Sequence, residues 1–227
     1  MANACLYSGG KDSTLALHKA VGMGIKIDLL ISMMTSSRES YMFHYPNVRF
    51  TALQAQSMGI KQVFAQTEGK KEKELKDLEK ALVDNDVDLL VTGATYSKYQ
   101  GDRVNDLSRK LGIEHLAPLW HIEPRTELEE LAKDFDAIIT AVAAEGMDES
   151  MLGSRIDGPM IRKLEELNRK HGINMLFEGG EAESFVLDAP LFSRSVSILK
   201  SRKEWNGNRG MLIIEDAVLG GKGMLKE

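Results

Sequence analysis

Ser8-Gly9-Gly10-Lys11-Asp12-Ser13 has the residue types of an anion cradle. It follows the apolar run Ala4-Cys5-Leu6-Tyr7 and precedes a helical pattern that opens at Thr14. Two glycines let the backbone turn sharply and come close to a ligand. The helix behind them offers N–H groups without intrahelical acceptors and the positive end of its dipole. Phosphate is the usual anion at such a junction. Ser8 and Ser13 add hydroxyl donors, and Lys11 adds a full positive charge. The Walker pattern Gly-x-x-x-x-Gly-Lys-Ser/Thr is not met, because Asp12 follows the lysine and Cys5 stands where the first glycine would be.

A second constellation begins at Glu178-Gly179-Gly180-Glu181-Ala182-Glu183 and runs to Asp188, Pro190 and Phe192. It gathers four carboxylates within eleven residues around a Gly-Gly turn. Such a loop can bind Mg²⁺, hold a cationic substrate or provide a general base. The competing reading is a solvated acidic hairpin. Phe185, Val186 and Leu187 anchor the segment and favour fixed carboxylates. A third stretch, Tyr96-Ser97-Lys98-Tyr99-Gln100-Gly101-Asp102-Arg103, places Lys98 and Arg103 where they could stabilise polyphosphate charge. Read locally, it is equally a helix start with ordinary surface charges. His44 and His121 are candidate bases, but the five histidines show no metal-ligand spacing. No Gly-x-Ser-x-Gly elbow appears, which argues against a serine hydrolase.

These residues need elements to position them. Apolar strand-like runs fall at 3–7, 27–34, 62–66, 88–93 and 113–117, with helical patterns at 14–21, 50–58, 70–83 and 99–111. Gly22, Gly59 and Gly112 read as helix stops. Alternating strands and amphipathic helices predict an α/β fold, a Rossmann-like parallel sheet flanked by helices on both faces. Ligands of such sheets bind beyond the carboxyl ends of the strands. There the hexapeptide and Thr92-Gly93-Ala94-Thr95 could face one cleft. After Trp120 the rhythm changes. A helix at 125–135, a strand at 137–144, an irregular acidic loop at 145–157 and a helix at 160–171 follow, then short strands at 173–177, 184–187, 196–199 and 211–215. These predict a smaller α+β C-terminal domain, with residues 1–125 as the nucleotide-binding domain and 126–227 as the second.

The 227 residues suffice for a real core. A net charge of −5 argues against a dedicated nucleic-acid binder. The lysines at 70, 71, 73, 76 and 80 alternate with Glu72, Glu74, Asp77 and Glu79, which reads as a solvated helix with pairs such as Glu72–Lys76. Cys5 is the one cysteine, so the chain has no internal disulfide and no Cys-x-x-Cys site. No apolar run is long enough to span a bilayer and no signal peptide is evident, so cytoplasmic residence is expected.

The hexapeptide resembles the PP-loop of ATP pyrophosphatases, which cut ATP between its α and β phosphates. Across nearly the whole chain the segments resemble one family of that superfamily, the diphthine–ammonia ligases. The resemblance runs through residues 8–13, Ser40-Tyr41-Met42-Phe43-His44-Tyr45-Pro46-Asn47, Leu53-Gln54-Ala55, Lys98 to Arg103, Leu116-Ala117-Pro118-Leu119-Trp120, Gly146-Met147-Asp148-Glu149 to Gly153, and Glu178 to Phe192. One departure is Ala182, where the family usually carries an aromatic residue.

The resemblance implies an adenine nucleotide α-hydrolase-like fold and an amide-forming ligase. Its acceptor would be diphthine, a modified histidine on elongation factor 2 that carries a carboxylate beside a trimethylammonium group. ATP would activate the carboxylate as an acyl-adenylate with release of pyrophosphate, and ammonia would displace AMP. Ser8, Gly9, Gly10 and Ser13 would cradle pyrophosphate, and Lys11 would neutralise charge developing there. Asp12 would hold Mg²⁺. Gly93 and Lys98 would join the ATP site. Tyr99, Arg103, Glu178, Gly179, Gly180, Glu181 and Asp188 would face the acceptor. Glu178, Glu181, Glu183 or Asp188 would attract the quaternary ammonium or the ammonium ion, and one of them, with Glu181 and Glu183 as the catalytic candidates, would take a proton from ammonium. Tyr45 or Tyr99 would supply a cation–π contact. No membrane partner and no stable nucleic-acid binding are expected, and a homo-oligomer is left open. The rivals are a tRNA-modifying PP-loop ligase and a non-catalytic ATP-binding sensor. Sulfur transfer is disfavoured because Cys5 alone cannot support it. A glutamine-dependent synthetase is disfavoured because no glutaminase nucleophile is present.

Overall fold

The computed structural model describes residues 1–35, 47–67, 71–95 and 98–222, apart from the side chains at 71–72 and 98–101. The chain divides into two compact units, Met1–His121 and Ile122–Glu227. The expected boundary at 125/126 falls in the first turn of a helix of the second unit.

The first unit holds β1 (Ala2–Leu6), α1 (Lys11–Gly22), β2 (Leu29–Thr35), α2 (Thr51–Met58), β3 (Lys61–Thr67), α3 (Lys71–Asp84), β4 (Val87–Val91), α4 (Lys98–Leu111) and β5 (Glu114–Leu116). All five strands run parallel in the order β3-β2-β1-β4-β5. The central strands are apolar throughout because both faces are covered. On one face Ala4, Ile31 and Leu90 meet Leu78 and Leu82 of α3 and Val104 and Leu107 of α4. On the other, buried Cys5 lies under α1, its Sγ 3.9 Å from the Ser13 carbonyl. Burial pushes that thiol's pKa up, leaving it protonated and inert. Parallel strands put all their carboxyl ends on one rim, so the segments that leave β1, β4 and β5 are neighbours there.

Two helix stops differ in kind from the third. Gly59 and Gly112 end α2 and α4 in the left-handed conformation, at φ 67° and 70°. Gly22 is the last residue of α1, and the left-handed step comes two residues later at Gly24. Glu72 of the expected Glu72–Lys76 pair is among the side chains not described.

The second unit holds α5 (Pro124–Asp134), β6 (Asp136–Val142), α6 (Gly158–His171), β7 (Ala182–Asp188), β8 (Val196–Trp205) and β9 (Gly210–Leu219). Its sheet is antiparallel, in the order β7-β6-β9-β8. Its core includes Leu128, Leu131, Ile139, Leu164, Phe185, Val186 and Ile214. The strand expected at 173–177 is absent. Asn174 Oδ1 accepts from Leu176 N–H at 2.8 Å, and Phe177 takes a φ of +68°, so the segment turns instead. The hairpin strands at 196–199 and 211–215 are longer than expected. Their charged continuation is held in the ladder by cross-strand ion pairs of Glu215 with Lys200 at 2.8 Å and Arg202 at 3.0 Å. No helix among the described residues is long and apolar enough to cross a membrane.

Candidate active site

The hexapeptide forms the turn between β1 and α1. Gly9 takes a φ of +78°, and Gly10 is the extended N-cap of α1. No side chain caps the helix at Gly10. Side-chain hydroxyls hold the loop from within. Ser8 Oγ and Ser13 Oγ lie 3.2 Å apart, and Ser13 Oγ receives the Ser8 N–H at 3.3 Å. Thr14 Oγ1 donates to the Gly10 carbonyl at 2.8 Å and lies 3.2 Å from the buried Tyr7 hydroxyl. Lys11 is 2% exposed and ion-paired to Asp12, whose carboxylate is 35% exposed. A buried cation thus sits at the start of the helix, beside a carboxylate that reaches solvent.

A second layer fixes the turn. Gln54, fully buried on α2, donates from Nε2 to the Gly9 carbonyl at 3.1 Å. Gln62 Nε2 bridges Ser32 Oγ at 2.7 Å and Thr51 Oγ1 at 2.6 Å, while Ser32 Oγ donates to the Tyr7 carbonyl at 2.6 Å. A Cβ on Gly9 would run into Gln54 Oε1 and Thr51 Cγ2, the latter at 2.7 Å. On the other side, a Cβ on Gly93 would lie 2.6 Å from the Asp12 carbonyl carbon and 2.8 Å from Ser13 N. Gly93 therefore lets the segment after β4 press against the first turn of α1. Gln54 had no assigned role in the sequence reading. Its signal in the sequence was its place in Leu53-Gln54-Ala55, one of the segments that carry the family resemblance.

The rim beyond β4 is polar and ordered. Thr92 Oγ1 lies 2.8 Å from His115 Nε2, and His115 Nδ1 lies 2.5 Å from Asn105 Oδ1. Burial lowers the His115 pKa, which keeps the ring neutral near pH 7. His18, on α1 behind the loop, is pushed down to about 4 by burial. Arg103 is half-buried on α4. Lys98 and Tyr99 begin that helix, but their side chains lie outside the described residues, as do His44 and Tyr45 altogether. His121 closes the first unit in a turn, with its ring stacked on Trp120.

In the second unit the acidic constellation separates into two places. Glu178, Gly179 and Gly180 form a turn that Glu181 closes onto itself. One Glu181 oxygen accepts from Asn174 N–H at 2.9 Å and the other from Gly179 N–H at 2.8 Å. Glu183 is half-buried on β7, paired with Ala141 across the ladder. Asp188 does not belong to the turn. It is buried at the far end of β7, roughly 20 Å along a seven-residue strand, and its Oδ1 accepts the next backbone N–H, of Ala189, at 2.9 Å. The sequence placed four carboxylates in one loop, and the intervening strand divides them. Ala182 is 4% exposed and pairs with Val142, so this departure from the family pattern lies in the interior of the unit.

The donor set of the first unit suits a polyphosphate. It combines a glycine turn into which a Cβ would not fit, hydroxyls at Ser8 and Ser13, the first-turn N–H groups of α1 and the Lys11 cation. Among the described residues there is no group of three His, Cys, Asp or Glu side chains able to hold a metal by themselves. A single carboxylate such as Asp12 suits Mg²⁺, which is commonly held by one or two carboxylates together with substrate phosphates.

Residues 1–115 match the family model described as "Diphthamide synthase N-terminal domain", and residues 123–219 match "Diphthamide synthase C-terminal domain". The human protein named diphthine–ammonia ligase is 30% identical over 219 residues, covering 86% of this chain and 82% of its own length. The Bos taurus protein of the same name is 31% identical over 219 residues with the same coverage. The Schizosaccharomyces pombe protein of that name is 29% identical over 212 residues and is covered over 35% of its length. A solved chain from Methanocaldococcus jannaschii, described as a "predicted subunit of tRNA methyltransferase", aligns with a TM-score of 0.47 at 14% identity, over 84% of this chain and 98% of that one. With both of its units matched by the two domain models, the chain belongs to the diphthamide synthase family.

Proposed function

We propose that this enzyme is an ATP-dependent ligase that converts the carboxylate of diphthine on elongation factor 2 into the amide of diphthamide. The observation that carries the reading is the β1–α1 turn, where Gly9, Gly93 and the buried Lys11 shape a phosphate site beside the half-exposed Asp12 carboxylate. In the first step a carboxylate oxygen of the acceptor attacks the α-phosphorus of ATP. The bond between the α-phosphorus and the oxygen bridging to the β-phosphate breaks, and pyrophosphate leaves with that oxygen. Lys11 and the N–H groups of the turn stabilise the charge that grows on the leaving group. Asp12 would hold Mg²⁺, which supplies further charge neutralisation there. In the second step ammonia attacks the acyl carbon, AMP departs and one proton is released.

Lys98 belongs with the phosphates in this reading, and Tyr99 and Arg103 with the acceptor. Ammonium must lose a proton before it is nucleophilic, and Glu183 and Glu178 are the carboxylates proposed to attract it. Glu181 is a positioning residue, because its two oxygens already hold Asn174 and Gly179. Asp188, at the other end of β7, is left out of the acceptor site.

Incubation with diphthine-bearing elongation factor 2, ATP, Mg²⁺ and ammonium tests the reading. Mass spectrometry should find the carboxyl-to-amide conversion, with AMP and pyrophosphate formed only when the acceptor is present. ATP bound without turnover on this acceptor would overturn it and favour a nucleotide sensor.

A further inference from the structure

We infer that the stacked rings of Trp120 and His121 form the platform that takes the trimethylammonium group of the acceptor. This rests on the diphthine reading above and adds a specificity site to it. The chain leaves β5 at Leu116 and turns at once, with Trp120 N–H donating to the Ala117 carbonyl at 3.1 Å. Leu119 is fully buried and anchors the turn, while Trp120 remains 38% exposed. Leaving part of an indole in water forfeits hydrophobic stabilisation. His121 then adopts a φ of +63°, a left-handed conformation that is strained for a residue with a Cβ. Its N–H donates to the Thr95 carbonyl at 3.1 Å, which ties the turn to the segment leaving β4. In this conformation the imidazole lies over the indole, with ring centroids 5.0 Å apart and planes 22° from parallel. Two unfavourable local choices therefore maintain one half-exposed aromatic pair.

Its position fits an acceptor contact. β5 is two strands from β1 in the sheet order, about 10 Å across, and both end on the same rim. The platform thus stands beside the phosphate turn on the β4–β5 flank. A quaternary ammonium has no N–H to donate, so hydrogen bonding cannot select it. Aromatic faces can, through the ring quadrupole and dispersion. A carboxylate next to that cation would be presented toward the phosphate turn while the methyl groups rest on the rings.

The chain has two tryptophans, so a Trp205→Phe variant reports Trp120 fluorescence alone. It is titrated in the presence of ATP with glycine betaine, which has a carboxylate beside trimethylammonium, and with 3,3-dimethylbutanoate, its neutral tert-butyl counterpart. Betaine should perturb Trp120 and the neutral acid should not. In the full reaction Trp120→Leu should raise the acceptor KM about tenfold with ATP KM within about twofold, and Trp120→Phe should recover part of the loss. Equal responses to both small acids would overturn the platform. So would an unchanged acceptor KM, or a rise in ATP KM instead, which would mean that the rings stack on adenine. If betaine still perturbs Trp120 but diphthine is never amidated, the platform stands and the proposed reaction fails. If amidation proceeds and Trp120→Leu is silent, the reaction stands and the platform fails.

Discussion

The turn after β1 and the turn before β7 are both short, glycine-containing and charged, yet they are held by opposite means. In the first, neutral groups hold the backbone. Ser8, Ser13, Thr14 and Gln54 make hydrogen bonds within it, and Lys11 and Asp12 pair with each other. In the second, the charged group is itself the clamp, because both Glu181 oxygens accept backbone N–H groups of the same loop. A motif rich in charge is therefore not uniformly a motif rich in chemistry. What separates the cases is where the carboxylate is spent: Glu181 on the backbone N–H groups of its own loop, Asp12 on the Lys11 ammonium.

The sharpest way to break this comparison is Lys11→Met. Methionine fills a similar volume, so the fold should hold, but the leaving pyrophosphate loses its buried cation. Pyrophosphate formation should fall roughly 100- to 1,000-fold, as for loss of other preorganised transition-state contacts. Acceptor-dependent pyrophosphate release measures it. A rate within tenfold of the parent would mean that the charge on Lys11 serves only Asp12.

Glu181→Gln probes the second turn. The amide keeps one acceptor oxygen where the carboxylate used two, so one backbone N–H loses a charge-assisted partner, at a cost of about 1.5–3 kcal/mol. Faster hydrogen exchange at Asn174 or Gly179 and a higher acceptor KM are expected, with the acid limb of the kcat–pH profile unmoved. A fall in kcat alone, with the exchange rates unchanged, would return Glu181 to the role of proton acceptor.

The two regions also differed in how far the sequence revealed them. The β1–α1 turn was legible because its logic is local. Gly9, Gly10, Lys11 and Ser13 act on one another over six residues, and the flanking strand and helix have clear periods. The parallel order of the first sheet followed from the same alternation. The second region was misread for non-local reasons. Asp188 looked like a neighbour of Glu181 because seven residues separate them, but an extended strand turns seven residues into roughly 20 Å. The turn at 173–177 looked like a strand because all of its residues but Asn174 are apolar. It is irregular because Asn174 Oδ1 accepts the Leu176 N–H and the Asn174 N–H donates to Glu181, beyond the turn. The length of the β8–β9 hairpin was hidden by Lys200 and Arg202, whose partner Glu215 is on the other strand.

A glycine substitution in each unit sharpens the contrast. Gly93→Ala puts a methyl group 2.6 Å from the backbone of Asp12, which cannot yield without opening the turn. Destabilisation of about 1–3 kcal/mol is expected, together with weaker ATP binding. Gly180→Ala meets no neighbouring atom, and only its φ of +80° is strained, so about 1 kcal/mol is lost and ATP binding is untouched. Thermal unfolding and ATP titration of both variants decide the matter. Equal effects on ATP would refute the close approach assigned to Gly93.

Gln54→Leu has the smallest expected effect and isolates the second layer of the phosphate turn. Leucine matches the buried volume of Gln54 but cannot donate to the Gly9 carbonyl. Because the amide is fully buried, its loss removes the bond to the Gly9 carbonyl and also a costly desolvated group. The net change in global stability should therefore be within about 1 kcal/mol. The local effect should be larger than the global one. With its carbonyl released, the Gly9–Gly10 peptide keeps the long Gly10 N–H to Ser8 Oγ bond of 3.4 Å, and the direction of that N–H is less firmly set. ATP KM should rise about two- to tenfold with an unchanged melting temperature, since one neutral hydrogen bond is worth about 0.5–1.5 kcal/mol. A fall in melting temperature with ATP KM unchanged would make Gln54 a core residue of α2 and not a brace of the turn.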